Sequence, residues 1–201
     1  MKKIYLMMAL VCMMMVSCAP DETGLHQGRE YVDLGLSVKW ATCNVGAASA
    51  EEYGYYFAWG ETDVKERYDK ENCLTLGKTM NDIAGSAEFD AATANWGGDW
   101  RMPTEAEMKE LLEECKWKWT KQDGVKGYKV TGPNKNSIFL PAAGYRVSIA
   151  NMGPGTGGYY WCSTPSGNEN SEACQLMFDP HTQYTRGFLR DHGNTIRPVL
   201  E

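Results

Sequence analysis

The chain has 201 residues, with 20 Lys and Arg against 26 Asp and Glu and a formal net charge of −6. That length suits a single domain with a full hydrophobic core. An acidic chain without a basic cluster argues against nucleic acid, whose phosphates demand clustered Lys and Arg, and against a polybasic membrane-surface module.

In chain order, Met1-Lys2-Lys3 leads into the apolar run Ile4–Val16 and then Ser17-Cys18. A basic start, a short apolar stretch and a small residue before the break describe a secretory signal. The run is shorter than the roughly 20 residues a spanning helix needs. A buried core helix would carry a polar face, which this run lacks. Met15-Val16-Ser17-Cys18 resembles a bacterial lipobox, with Met where Leu is commoner. The resemblance implies lipid on Cys18 and removal of residues 1–17, so that the chain meets the outer membrane through a lipid anchor at the cell surface. Residues 18–28 then read as a polar tether and 29–201 as one domain. Asp21 and Glu22 resemble a surface-export signal of Bacteroidota-type lipoproteins, and an ordinary solvated tether reads equally well.

Beyond the tether, 21 Gly, 11 Tyr and 7 Trp without long apolar runs point to short strands joined by tight turns. The expected strands are Val32–Leu34, Val38–Cys43, Tyr55–Trp59, Trp117–Thr120, Tyr128–Thr131, Ile138–Pro141, Tyr159–Ser163, Cys174–Phe178 and Thr195–Val199, with Asp123-Gly124 as a hairpin turn. Thr104 followed by Glu107 forms a capping box, and Met108, Leu111, Leu112 and Cys115 recur at helical spacing behind it. A shorter helix is expected through Asp90–Asn95. Trp100 is expected to pack under the Thr104 helix, and Trp161 to pair with Ile196–Val199. The fold class is α+β, an antiparallel sheet with one or two helices.

Of the 7 cysteines, Cys12 leaves with the signal and Cys18 takes lipid. In an oxidising compartment the remaining odd set predicts disulfides and one free thiol. Cys162 and Cys174 flank a loop between two strands expected to pair, so they form the first candidate bridge. Cys43 with Cys115 is the second, leaving Cys73. His26, His181 and His192 are scattered without metal-ligand spacing, so no metal or cofactor is expected. Ser163 lacks the Gly-x-Ser-x-Gly context of a nucleophile. Gly153–Gly158 lacks the Lys of a phosphate loop and reads as a flexible turn.

The segment Tyr159–His192 is crowded with side chains suited to recognition. Tyr160, Ser163, Asn168, Asn170, His181, Gln183, Tyr184, Arg186, Arg190, Asp191 and His192 are the candidate ligand-binding residues. An ordinary set of solvated loops would also look like this. Arg101, Arg146 and Arg197, by contrast, lie beside strand and turn motifs and are expected to bond scaffold carboxylates and carbonyls.

Three stretches carry a family resemblance. Tyr31-Val32-Asp33-Leu34-Gly35-Leu36-Ser37-Val38-Lys39-Trp40-Ala41 precedes Tyr56-Phe57-Ala58-Trp59-Gly60-Glu61. Gly98-Asp99-Trp100-Arg101-Met102-Pro103-Thr104-Glu105-Ala106-Glu107 follows. Leu140-Pro141-Ala142-Ala143-Gly144-Tyr145-Arg146, Gly158-Tyr159-Tyr160-Trp161 and Gly193-Asn194-Thr195-Ile196-Arg197-Pro198-Val199 complete the set. In this order they resemble the Fibrobacter succinogenes major paralogous domain, a group of exported bacterial proteins. The resemblance implies a C-type-lectin-like fold and leaves activity open. The Glu-Pro-Asn, Gln-Pro-Asp and Trp-Asn-Asp motifs of calcium-dependent sugar sites are absent. Some lectin-fold proteins diversified by retroelements resemble the Trp-led C-terminal segment.

The leading expectation is a non-enzymatic, surface-displayed binding module for a protein or glycan ligand, such as an adhesin. A subunit or tip of a surface fibre or pilus is the alternative. A formylglycine-generating-like enzyme, whose relatives resemble Arg101–Glu107 and use a copper-binding cysteine pair, is more distant. Its Gly- and Arg-rich C-terminal signature is missing here.

Overall fold

A computed structural model describes residues 23–167 and 170–201. The signal, the lipobox with Cys18, and Asn168 lie outside the described residues. The first element is β1 (Thr23–His26), which pairs antiparallel with β2 (Arg29–Val32). Residues 23–26, expected as part of the tether, therefore belong to the domain. β3 (Lys39–Ala41) joins β2, and a single 3₁₀ turn follows at Lys70–Asn72. The helices are α1 (Ala91–Trp96) and α2 (Glu105–Glu114). A three-stranded sheet comprises β4 (Lys116–Gln122), β5 (Val125–Thr131) and β6 (Ser137–Pro141) in that order. A small hairpin pairs β7 (Tyr145–Val147) with β8 (Ala150–Met152). The last large sheet runs β11 (Gln183–Leu189), β10 (Glu172–Phe178), β9 (Gly158–Ser166), and β12 (Val199–Leu200) closes the first sheet against β3.

The helix signals hold. Thr104 caps α2: its side chain accepts from Glu107 N, and Glu107 accepts in return from Thr104 N. Met108 and Leu111 point into the main core, each contributing roughly 2 kcal/mol of apolar burial. Glu107 also meets Arg101 through two bonds of 2.9 and 2.6 Å. Burial pushes the Glu107 carboxyl up, but the Arg101 fork and the Thr104 N–H outweigh it and hold the group below its ordinary range. Its stabilising contribution is therefore present above the ordinary glutamate pKa and lost as pH falls through the lowered folded value. Glu107→Gln should cost about 1–2 kcal/mol at neutral pH. Its urea midpoint should also fall less steeply than the wild type's on acidification. An unchanged acid slope would place the pH dependence on other carboxylates.

Asp90 caps α1, accepting from Ala92 N and Thr93 N. Asp123 and Gly124 both take positive φ, 44° and 90°, which is the tight hairpin turn between β4 and β5.

Two expected strands are not strands. Tyr55–Trp59 is apolar, but its backbone bonds scatter: Tyr55 N to Val45 O, Phe57 N to Asn194 O, Trp59 N to Arg190 O. Three partners, one near Val45 and two on the 190–194 stretch, hold the run in place without a ladder. Thr195–Val199 behaves similarly. Thr195 bridges Tyr160 in parallel, whereas Val199 pairs with Trp40 and with Arg101. Trp161 thus meets only the start of this segment. Trp100 does not lie under α2; it packs edge-on against Trp96 of α1 and against Ala41 and Leu200. β1, β7, β8 and β11 are not among the expected strands.

Arg101 bonds Glu107 and Arg197 bonds backbone carbonyls, as expected; Arg146 makes one carbonyl bond, to Ile149 O at 3.3 Å, and otherwise lies over the Tyr56 and Tyr68 rings with its Nε unpartnered among the described residues. The main core joins α2, the β4–β5–β6 sheet and the inner face of the β9–β10–β11 sheet through Leu111, Val130, Leu140, Tyr160, Leu176 and Phe178. A second cluster, including Phe57, Trp59, Ala92, Met102 and Ile196, covers part of the outer face at Trp161 and Ala173.

Candidate ligand-binding face

The cover on the outer face is incomplete, and the exposed remainder is the candidate site. Opposed residues of an antiparallel ladder share a face. The register sets Tyr159, Met177 and Tyr184 side by side, then Trp161, Gln175 and Arg186, then Ala173 with Phe188. Trp161, Gln175 and Ala173 are buried, while Tyr184 and Arg186 are exposed and Tyr159, Met177 and Phe188 half-buried. Tyr184, Arg186 and Phe188 are therefore one period-two stripe along β11.

Tyr145 and His192 extend this face. Tyr145 lies 4.8 Å from the Tyr159 ring and 5.5 Å from Phe188, and Phe188 lies 4.8 Å from His192. Most of these rings meet edge to face, which favours aromatic contacts beyond simple burial. Gly144 makes the approach of β7 possible: its φ is 69°, and a Cβ there would meet Met152 O at 2.3 Å. Across the hairpin, exposed Met152 opposes Tyr145 and lengthens the apolar rim.

The polar groups are few. The Arg186 guanidinium sits 5.2 Å over the Phe188 ring and meets no carboxylate among the described residues. His192 Nδ1 lies 3.1 Å from the buried Asp191 carboxylate, which fixes the ring. Burial, then the neighbouring Tyr145, pushes the Tyr159 phenol up, so it stays a neutral donor and acceptor. The face offers broad aromatic contact around one unpaired cation.

The expected binding residues divide sharply. His181, Gln183, Tyr184 and Arg186 are exposed, and His192 joins the aromatic face. Asn170 bonds Thr79 Oγ1 at 2.9 Å. Tyr160, Ser163, Arg190 and Asp191 are buried, which corrects their assignment to a surface. Tyr160 donates to Pro141 O, facing the main core because it alternates with Tyr159. Ser163 lies inside, its Oγ without a partner among the described residues. Arg190 is 1 % exposed, lies 4.4 Å over Trp59, and donates to the carbonyls of Glu172, Thr75 and Lys78. It ties the 75–78 loop to the sheet. Sequence reasoning misses Tyr145, Tyr159, Met177 and Phe188 as surface residues; the alternation of Tyr184, Arg186 and Phe188 is the signal that could have found them.

The cysteines among the described residues are all free thiols: Cys43, Cys73, Cys115, Cys162 and Cys174. A bulge between Ala173 and Gln175 removes Cys174 from strict register, yet its Sγ lies 3.0 Å from that of Cys162. Burial pushes the Cys162 thiol up, which makes it a poor metal ligand or nucleophile. Neither expected bridge, Cys162 with Cys174 or Cys43 with Cys115, is formed. Cys43 bonds Ala47 O beside Arg197, whereas Cys115 caps α2 in the main core, its thiol pushed up to about 11 by burial and then by Glu110.

A cleft between β1 and β12 contains His26, Lys39, Asp99, Arg101 and Glu201, but its Arg101 is held by Glu107 and Glu201 and its Lys39 by the Glu201 carbonyl. Among the described residues no three His, Cys, Asp or Glu side chains converge on a metal-sized site. No family model, curated protein or solved structure matches the chain.

Proposed function

We propose that this chain is a lipoprotein held at the outer cell surface through Cys18, with a C-type-lectin-like domain that binds a macromolecular ligand and performs no chemistry. The observation that carries the reading is the outer face of the β9–β10–β11 sheet. There, Tyr145, Tyr159, Phe188 and His192 form one aromatic cluster, and Arg186 lies over its Phe188 ring with no carboxylate partner among the described residues. Arg190 and Arg197, by contrast, direct their donors to carbonyls inside the fold. A solvated Arg among half-buried aromatics is the composition of a binding hot spot.

Replacing Tyr184 and Arg186 together by Ala tests it. Both are exposed, so each change should cost under about 0.5 kcal/mol and leave thermal unfolding nearly unchanged. Cells displaying the double variant should lose adhesion to the surfaces that the wild-type chain holds. Full adhesion at full stability would move the binding site off this face. Arg190 must be left intact, because its loss would unfold the scaffold and mimic a binding defect.

A further inference from the structure

The open edge of β11 adds a specific partner to this face. β4, the other long edge strand, carries exposed Lys116, Lys118 and Lys121, a common guard against pairing with another chain. The outer edge of β6 is occupied, since Arg197 donates to Phe139 O and Tyr160 to Pro141 O. The outer edge of β9 is closed by Thr195 and by Pro103, whose carbonyl takes Ser163 N. β11 has none of these devices. Its seven residues contain no Pro and no Lys, and their register with β10 is unbroken.

The direction of its backbone groups follows from two bonds. Arg190 N donates to Ser171 O and Asp179 N to Thr182 O, both in register with the ladder. The even-numbered residues therefore bond β10, and by alternation Gln183, Thr185 and Gly187 turn their N–H and C=O groups to the open side. No described residue bonds the backbone of Thr185 or Gly187 on that side.

We infer that β11 accepts an extended peptide segment of a partner protein as an added strand, with an acidic residue beside Arg186 flanked two positions away on each side by apolar ones. Main-chain bonds to Gln183, Thr185 and Gly187 would supply affinity. Alternate side chains on the outer face would supply selection. The acidic position follows from the unpaired Arg186, and the apolar positions from Tyr184 and Phe188 on either side of it. A second copy of this chain fits less well, because symmetric pairing centred on Arg186 would oppose two like charges. The inference rests on the outer face being a recognition surface.

The test is fluorescence anisotropy of the whole chain with a fluorescein-labelled peptide in which threonine alternates with valine, glutamate and leucine. Saturable binding is expected, weakened about tenfold or more when the glutamate becomes lysine. N-methylating alternate amides should abolish binding in one phase and spare it in the other, because only one set faces β11. Thr185→Pro removes an N–H on the open side and leaves the β10 ladder intact, a position where edge strands tolerate proline. Circular dichroism should show it folded, and the peptide should not bind it. Should that variant unfold, the methylated peptides decide alone. Equal binding of both methylated peptides, no binding at all, or dimers in light scattering that disappear with Thr185→Pro would each overturn the proposal. Adhesion that depends on Tyr184 and Arg186 without peptide binding would leave the face a recognition surface and remove only the added strand.

Discussion

Replacing Arg197 by Ala should cost about 4 kcal/mol and leave the chain barely folded at physiological temperature, given the roughly 5–15 kcal/mol that holds a domain of this size together. The side chain is 0 % exposed. Its guanidinium donates to Asn44 Oδ1 at 2.8 Å and to the carbonyls of Ala41, Thr42 and Phe139 at 3.1, 3.0 and 3.0 Å. These acceptors sit on separate segments, one around β3 and the other in β6, so one planar fork fastens two sheets. No carboxylate among the described residues balances the charge; burial lowers the pKa, but from a value so high that the group stays protonated. Truncation leaves four buried acceptors unpaired and opens a cavity, each a recognised source of large destabilisation. Release of the buried charge offsets part of this loss, which is why the expected cost stays below the sum over four bonds. Arg197→Lys should recover only part, because a compact ammonium cannot span both acceptor sets. Urea unfolding checks the series, and an Ala variant within about 1 kcal/mol of the wild type would show that these bonds are replaced by water.

Asp90→Asn should be nearly as damaging as Asp90→Ala, although it preserves shape. Asp90 is buried, and both of its oxygens only accept: Oδ1 from Ala92 N and Thr93 N, Oδ2 from Gly85 N and Met102 N. An amide would turn an NH₂ group toward one of those donor pairs, leaving two N–H groups unsatisfied and facing a like dipole. The expected cost is about 3 kcal/mol, or roughly 10 °C in thermal midpoint for a domain of this length. The loss should reach beyond α1, because Met102 leads into the Thr104 cap of α2. Thermal unfolding followed by circular dichroism measures it. A midpoint within about 2 °C of the wild type would mean that the site rearranges to satisfy the amide.

Features fixed by neighbours along the chain are legible in the amino-acid sequence alone. Thr104 with Glu107 is a local exchange of two bonds, Asp123-Gly124 supplies the positive φ of its turn, and Met108 and Leu111 mark the buried side of α2 by spacing. Strands β4, β5, β6, β9 and β10 follow from apolar residues that alternate or run together toward a core. Their ends shift by a few residues at most, because pairing continues past the last apolar side chain.

The candidate site is half legible, and Arg186 and Arg190 show why. Both are polar, both sit in a segment rich in Tyr and Asn, and nothing local separates them. Arg186 falls on the open face because its register partner is Gln175 beside Trp161; Arg190 falls four residues later, where the chain turns inward over Trp59. Tyr159 and Tyr160 divide the same way, one to each face of β9. Composition marks the candidate segment, but the pleat and the second core cluster select which of its members reach solvent.

By itself the sequence determined the α+β class, the Thr104 cap of α2, the central strands, and the scaffold roles of Arg101 and Arg197, because each rests on short-range bonding or on burial periodicity. Only the tertiary structure decided that Tyr55–Trp59 forms no ladder, that residues 23–26 extend a sheet, and that β11 is an unguarded edge beside an aromatic face. Those outcomes depend on which distant segment supplies the hydrogen-bond partner, and no local pattern of side chains carries that information.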